Sequence, residues 1–209
     1  MTVTIRQVRI YTRRGDDGTT GLLYGGRVRK DHARIELNGA VDEAQAALGV
    51  ARAQAPTGGE LDTMLVGLER DLWVLMAEVA TAPANRRKLT PGQSLVTEEM
   101  VVALEAGIDG LADRYQMPTE FVIPGANRPS AALDVARTVV RRAERLAVAD
   151  PPAAGSLVGR YLNRLSDLLW AMARWQEGAH HLGSRSAEPV PDHLAAPDPV
   201  AGHPMEEQL

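Results

Sequence analysis

Residues 136–145 read ARTVVRRAER, and this stretch decides how the rest of the chain is interpreted. At 3.6 residues per turn, Arg137, Arg141 and Arg145 follow one another along one face of a helix. The neighbouring face carries an apolar stripe made of Leu133, Ala136, Val140, Ala143 and Ala147. The spacing therefore predicts a helix with one face packed in a core and the next face cationic.

Like charges four residues apart on a helix cost about 0.2 to 0.5 kcal/mol per pair. Only Asp134 and Glu144 lie close enough along this helix to offset the arginines. A solvated basic face with local ion pairs is one interpretation of the pattern. The other interpretation is that the arginine cluster binds an anion, and a second stretch of the chain favours it.

That second stretch, residues 12–21, reads TRRGDDGTTG and lacks the Gly-Lys-Ser/Thr of a Walker A sequence. Glycines allow positive φ angles and expose backbone N–H groups, and hydroxyls donate hydrogen bonds to phosphate oxygens. Arg13, Arg14 and Lys30 add positive charge. We interpret the segment as a phosphate-binding loop, so two separate stretches indicate the same polyphosphate ligand.

The composition favours one all-α domain. The chain has 209 residues, of which 44% are hydrophobic and 24% charged, enough to bury one good core. Only 4% of the residues are aromatic, which suits helices packed on helices better than a sheet. The net charge is −4, so the arginine cluster is a local feature and we expect no nucleic-acid partner.

The absence of cysteine excludes disulfides and thiolate metal sites. The five histidines include one adjacent pair, His180 and His181, so no metal-ligating residues are predicted. No apolar run approaches the roughly 18 residues of a membrane span, and the N-terminal residues lack the apolar core of a signal peptide. We expect a cytoplasmic protein with no membrane partner.

Apolar periodicity predicts a five-helix up-and-down bundle. The helices are expected over residues 35–53, 61–79, from about 97, from 129 and over 156–179. A surface loop is expected over 81–94, and a short strand or extended arm over 3–11. The predicted domain covers residues 1–183, followed by a Pro-rich disordered tail over 184–209.

Four collinear segments carry a resemblance to a known family. They read IYTRRGDDGTTGLLYGGRVRKD, NGAVDEAQAALG, FVIPGANRPSAALDVARTVVRRAER and YLNRLSDLLWAMAR. Together they resemble the PduO-type ATP:cob(I)alamin adenosyltransferases over roughly residues 8–180. The chain departs from the family at Arg14, where Thr is usual, at Ala126, where a second Gly is common, and at Ala44 and Gln45, where Leu-Asn is usual.

The resemblance implies a homotrimer of five-helix bundles with active sites between subunits. Such an enzyme binds ATP and magnesium, then a corrinoid, and transfers the 5′-deoxyadenosyl group of ATP to the cobalt of cob(I)alamin. Triphosphate leaves, and adenosylcobalamin is the product. A flavoprotein-type reductase and an adenosylcobalamin-dependent enzyme are the further partners implied.

The resemblance also assigns residues. The ATP contacts it implies are Thr12, Arg13, Arg14, Gly15, Thr20, Gly21, Lys30, Arg141, Arg142, Ala143, Glu144, Arg145 and Asn163. Arg137 is expected to pair with Asp42 across the subunit boundary, and Arg141 is expected to hold the polyphosphate; these three form the catalytic set. Phe121 is expected to press on the lower face of the corrin.

Other interpretations remain. The chain is alternatively a non-catalytic nucleotide- or corrinoid-binding chaperone module, or a purely structural bundle. Phe121, the single phenylalanine, is alternatively a connector residue that plugs the end of the bundle.

Overall fold

The structure, a computed structural model, describes residues 11–179 and 182–184. Within them the elements are β1 (Thr19–Gly21), β2 (Arg27–Arg29), α1 (Ala33–Arg52), α2 (Glu60–Val79), a 3-10 helix (Pro83–Lys88), α3 (Glu98–Ala112), β3 (Val122–Ile123), α4 (Arg128–Ala149), α5 (Val158–Glu177) and β4 (Leu182–Gly183). The five predicted helices and the all-α class are confirmed. The predicted arm over 3–11, apart from Tyr11, the histidine pair and almost all of the predicted tail lie outside the described residues.

Side-chain caps fix where the helices begin. The hydroxyl of Thr97 accepts a hydrogen bond from the backbone N–H of Met100 and starts α3. Asn127 and Ser130 form a reciprocal capping box at the start of α4. Because these polar residues lie immediately before apolar periodic runs, the starts of α3 and α4 were readable from the sequence.

Contacts between helix ends establish the up-and-down order. Arg34, near the start of α1, donates hydrogen bonds to the carbonyls of Val79 at 2.7 Å, Thr81 at 3.1 Å and Pro152 at 3.1 Å. The start of α1 therefore lies beside the ends of α2 and α4, and we call this the loop end of the bundle. At the opposite end, the connector end, Asn127 donates to the carbonyl of Gln176.

The helix α4 lies between α1 and α5 in the bundle. Its five predicted core residues are all buried: Leu133, Ala136, Val140, Ala143 and Ala147. Close packing of this stripe on two neighbouring helices fixes the rotation of α4 about its axis. The arginine face consequently points away from the core.

The segment over 81–94 is more ordered than the surface loop predicted from the sequence. It contains the 3-10 helix Pro83–Lys88. The buried carboxylate of Glu78 accepts hydrogen bonds from Arg86 at 2.6 Å and from the backbone N–H of Val96 at 2.8 Å. A buried carboxylate needs such donors, and sequence periodicity does not reveal long-range pairs of this kind.

No helix in the described ranges is both long enough and apolar enough to cross a membrane.

Candidate active site

The loop predicted to bind phosphate is built on a small hairpin. Strand β1 pairs antiparallel with β2, and Thr20 lies opposite Val28. Arg27 fastens the loop, donating from Nη2 to the carbonyl of Arg14 at 2.6 Å and from Nε to Oγ1 of Thr19 at 3.0 Å. The sequence predicted the loop and did not predict the two strands that hold it.

Asp17 stabilises the turn of this hairpin. Its carboxylate accepts hydrogen bonds from the backbone N–H of Thr19 at 2.9 Å and from the Thr19 hydroxyl at 2.7 Å. These two hydrogen bonds, with the charge of Arg27 nearby, lower the pKa of the Asp17 carboxyl below its usual value. The carboxylate is thus committed to holding the loop.

The loop encloses an open recess of about 400 Å³. Its lining consists of Thr12, Arg14, Gly15, Thr19, Thr20, Gly21, Arg27 and Lys30. The structure therefore brings together six of the seven loop residues predicted to contact ATP. Arg13 is the exception, since its guanidinium lies over the ring of Tyr11, 5.4 Å from the ring centre. Thr19, which belongs to the predicted loop, and Arg27 also line the recess but were not among the predicted ATP contacts; for Arg27, the alternating cations of the RVRK run were the available signal.

The hairpin is attached to the loop end of the bundle by a few polar contacts. The backbone N–H of Leu23 donates to the carbonyl of Ala80 at 2.8 Å. The carbonyl of Tyr24 accepts from Asn85 at 3.3 Å and from Lys88 at 3.5 Å. These bonds connect the loop to the end of α2 and the 3-10 helix.

The arginine face of α4 remains open. Arg141 and Arg145 are exposed, and neither forms an ion pair with a residue in 11–179 or 182–184. From Arg137 to Arg145 the face extends about 12 Å along the helix axis, at 1.5 Å per residue. Arg142 is already paired, because its guanidinium donates to the carboxylate of Glu43 on α1. Two unpaired guanidinium groups one turn apart form a site suited to a polyanion.

Asn163 lies on α5 beside this face. Its amide nitrogen donates to the carboxylate of Glu144 at 2.8 Å, and its amide oxygen accepts from Arg164 at 2.7 Å. Of the predicted ATP contacts, Glu144 and Asn163 are therefore brought together across the α4–α5 packing. Glu144 binds Asn163 and does not form an ion pair with the arginines of its own helix.

Arg137 and Asp42 do not pair within one chain. Asp42 is exposed on α1, and within the described ranges it has no hydrogen-bonded or ionic partner. Arg137 is half-buried and donates from Nε to Oδ1 of Asp134 at 3.4 Å. The expected pairing across a subunit boundary stays a prediction.

Phe121 lies on the connector before α4, and its side chain is 87% exposed. The alternative interpretation expected Phe121 to plug the end of the bundle, and within one chain it does not. It borders a recess of about 420 Å³ whose lining includes Trp170 of α5. The backbone is held in place because the carbonyl of Phe121 accepts from the N–H of Ser184 at 2.7 Å, next to the β3–β4 pair.

The three parts of the candidate site are separated in a single chain. The hairpin lies at the loop end, the arginines on the middle of α4, and Phe121 at the connector end. In the described part of the chain no hydrogen bond or ion pair joins the hairpin to α4. The same residues contain no group of three or more His, Cys, Asp or Glu side chains that could hold a metal ion.

Comparisons with protein families, with individual relatives and with solved structures all find cobalamin or corrinoid adenosyltransferases. A family model described as cobalamin adenosyltransferase matches residues 10–176. The corrinoid adenosyltransferase of Citrobacter freundii is 43% identical over 171 residues, which cover 81% of this chain and 95% of that protein. Corrinoid adenosyltransferase PduO of Salmonella typhimurium is 37% identical over 192 residues; the match covers 91% of this chain and 56% of that protein, so the chain spans about half of its length.

A solved structure of a variant PduO-type ATP:corrinoid adenosyltransferase from Lactobacillus reuteri, complexed with cobalamin and ATP, has the same fold. The TM-score is 0.75 at 27% sequence identity, and the match covers 85% of this chain and 97% of that chain.

Proposed function

Because the chain belongs to the cobalamin adenosyltransferase family, we propose that it transfers the 5′-deoxyadenosyl group of ATP to the cobalt of cob(I)alamin. The cobalt supplies the electron pair for the new cobalt–carbon bond, and the bond between C5′ and the triphosphate oxygen breaks. Triphosphate leaves with that bonding pair, and adenosylcobalamin is the product. No side chain need act as nucleophile, since the reduced corrinoid is one.

The observation that carries the proposal is the open arginine face of α4. Triphosphate leaves with more negative charge than it carried as an ester, so cations directed at it favour the transition state over the ground state. Arg141 is exposed and without an ion pair among residues 11–179 and 182–184. Its planar fork is suited to bidentate contact with phosphate oxygens.

The loop supplies the second half of the ATP site in this proposal. Gly15 and Lys30 border the loop recess, and an added Cβ at Gly15 would lie 3.3 Å from Nζ of Lys30. The ammonium group is therefore held directly beside the backbone that would cradle the phosphates. Thr20 and Gly21 line the same recess.

We place the complete site between subunits of a homotrimer, with the loop of one chain facing the arginine helix of the next. Two observations support this arrangement. No hydrogen bond or ion pair connects hairpin and α4 within the described part of one chain, and Asp42 has no partner there. A carboxylate on an exposed helix face is available to Arg137 of a neighbouring subunit.

Magnesium enters this proposal with ATP. The described residues offer no cluster of three metal-ligating side chains, whereas Mg²⁺ readily binds nucleotide phosphates and keeps several waters. The ion would neutralise charge on the triphosphate while Arg141 and Lys30 bind its remaining oxygens.

Phe121 is assigned to the corrinoid. An apolar ring that replaces the lower axial ligand of cobalt makes cobalt(II) easier to reduce, because that ligand no longer donates electron density. The 87% exposure of the Phe121 side chain leaves the ring available for such a contact. The reductase that supplies the electron, the enzyme that receives the product and the cytoplasmic location remain predictions from the sequence.

A spectroscopic assay tests the function. Purified protein is mixed with chemically reduced cobalamin and MgATP, and the absorption spectrum of adenosylcobalamin is followed together with triphosphate release. We expect both products in equal amounts. A chaperone would bind both ligands without turnover, and a structural bundle would bind neither.

A further inference from the structure

A cluster of buried charges lies at the connector end of the bundle, apart from the residues assigned above. Asp134, Arg174 and Glu177 have exposed fractions of 5%, 2% and 3%. Oδ2 of Asp134 accepts from Nη2 of Arg174 at 2.6 Å, and the same Nη2 donates to Oε1 of Glu177 at 3.0 Å. Buried charges are tolerated only when paired, and in this cluster the guanidinium of Arg174 is paired with both carboxylates.

Arg174 is held on several sides. Its Nε lies 2.7 Å from Oε2 of Glu177, close enough for an ion pair although neither atom is aligned for a hydrogen bond. Its guanidinium centre also lies 5.6 Å from the centre of the Trp170 ring. A guanidinium fixed in this way fixes the carboxylate of Asp134 that it binds.

The second carboxylate oxygen of Asp134, Oδ1, points toward the arginine face of α4. Oδ1 accepts from Nε of Arg137 at 3.4 Å, a loose contact in which charge attraction contributes more than hydrogen-bond geometry. The side chain of Arg137 retains 28% exposure, and its two Nη groups have no partner within the described ranges. With Nε occupied, the end of the guanidinium fork is the part left to bind a second carboxylate.

We propose that Asp134 is a positioning residue, which holds Arg137 so that its two Nη groups face Asp42 of the neighbouring subunit. This inference rests on the proposed shared site. It assigns the buried Arg174 and Glu177 the task of holding Asp134 in place. The contribution of Asp134 is therefore transmitted through Arg137 and vanishes when Arg137 is removed.

The structure offers a matched pair of variants. Asp134→Asn removes the carboxylate that binds both arginines but leaves Arg174 paired with Glu177, so no buried charge is stranded. Glu177→Gln removes the other carboxylate from the same Arg174, and Glu177 makes no contact with Arg137. The two variants should lower the melting temperature by similar amounts.

The test is a double-mutant cycle of Asp134→Asn with Arg137→Ala, measured on the trimer dissociation constant by sedimentation equilibrium and on kcat/KM for ATP. When Asp134→Asn is the only substitution, we expect the trimer dissociation constant to rise about tenfold and kcat/KM for ATP to fall about tenfold, the size of one charged hydrogen bond. In the Arg137→Ala background its effect should fall below about twofold. Glu177→Gln should stay within about twofold throughout.

Effects of Asp134→Asn and Arg137→Ala that simply multiply would overturn the inference, as would equal losses of assembly in Asp134→Asn and Glu177→Gln. A natural chain that forms trimers but makes no adenosylcobalamin contradicts the proposed reaction only, because the cycle is still measured on assembly. A monomer that makes adenosylcobalamin overturns the positioning role and leaves the reaction standing.

Discussion

The two sides of the candidate site are built in different ways. The arginine helix α4 is part of the core, with Leu133 and Val140 fully buried. The segments expected to complete the site are exposed: the hairpin is attached by a few polar contacts, and the side chain of Phe121 is 87% exposed. One side is positioned by the packing of the whole bundle, the other by local hydrogen bonds.

This difference indicates which side of the site loses more conformational entropy when a ligand binds. Arginines on a packed helix have a fixed backbone before any ligand arrives, so little entropy is lost at the Cα positions on binding. An exposed hairpin with few apolar contacts opens more easily, and a ligand must contribute to ordering it. Substitutions of core residues should therefore mainly lower stability, whereas substitutions of exposed site residues should mainly lower activity.

The largest effect is expected on the folded state, from Leu133→Ala. Removing this fully buried side chain leaves a cavity, and the free energy of unfolding should fall by about 2 to 5 kcal/mol. Denaturant unfolding at a fixed protein concentration measures it. The control is Val148→Ala on the same helix, where 70% exposure predicts almost no change. Similar losses for both variants would mean that α4 is not packed as described.

The arginine face should affect turnover and leave the fold intact. Arg141→Ala is expected to remove about 2 to 4 kcal/mol of transition-state stabilisation, the range found for groups that stabilise developing charge. Arg141→Lys should recover part of it, because a point charge replaces a planar fork. Arg128→Ala, an exposed arginine at the start of α4, is the control. Near-normal kcat/KM in Arg141→Ala would exclude the assigned role.

On the exposed side, Phe121→Ala should leave ATP affinity and melting temperature nearly unchanged. We expect a loss of about 10- to 100-fold in turnover when the reaction starts from cob(II)alamin and a protein reductase supplies the electron. The loss should be smaller with prereduced cob(I)alamin, since the reduction of cobalt(II), the step that Phe121 assists, is then bypassed. An equal loss in both assays with a lower melting temperature would favour a packing role.

The smallest effect is expected in the loop, from Gly15→Ala. The added Cβ would lie 3.1 Å from the carbonyl oxygen of Thr19 and 3.3 Å from Nζ of Lys30, so the loop backbone at Thr19 and the flexible lysine both have to shift slightly. The KM for ATP should rise about three- to tenfold with an unchanged melting temperature. Gly110→Ala, where the added Cβ has no neighbour within 4 Å, is the control. A drop in stability would show that the loop contributes to the fold.

Much of the fold was predictable because it depends on local patterns. The helices predicted over 35–53 and 156–179 are observed as Ala33–Arg52 and Val158–Glu177. The buried stripe of α4 follows from helical spacing alone, since a 3.6-residue period leaves one choice of core face. Loop residues such as Lys30 were predicted from the composition of their segment, and in the structure they line one recess.

The remainder depends on contacts between residues distant in the sequence. Asp134 was expected to offset the arginines of its own helix, but its carboxylate also binds Arg174 on α5 at 2.6 Å. Arg142 is predicted to contact ATP, and the sequence did not reveal that its guanidinium also pairs with Glu43. Periodicity predicts which face a side chain occupies, but it does not predict which group on the next helix it meets.

The separation of the hairpin from the arginine helix has a consequence for inheritance. If each site combines the loop of one chain with the helix of another, Lys30→Ala and Arg141→Ala damage different contributors to the same site. Two alleles that are each inactive alone should then complement when expressed together, because random mixing gives on the order of a quarter of sites with both halves intact. Such a locus would show partial recovery in a cell that carries the two mutations on separate copies, and no activity in a cell in which every copy carries both.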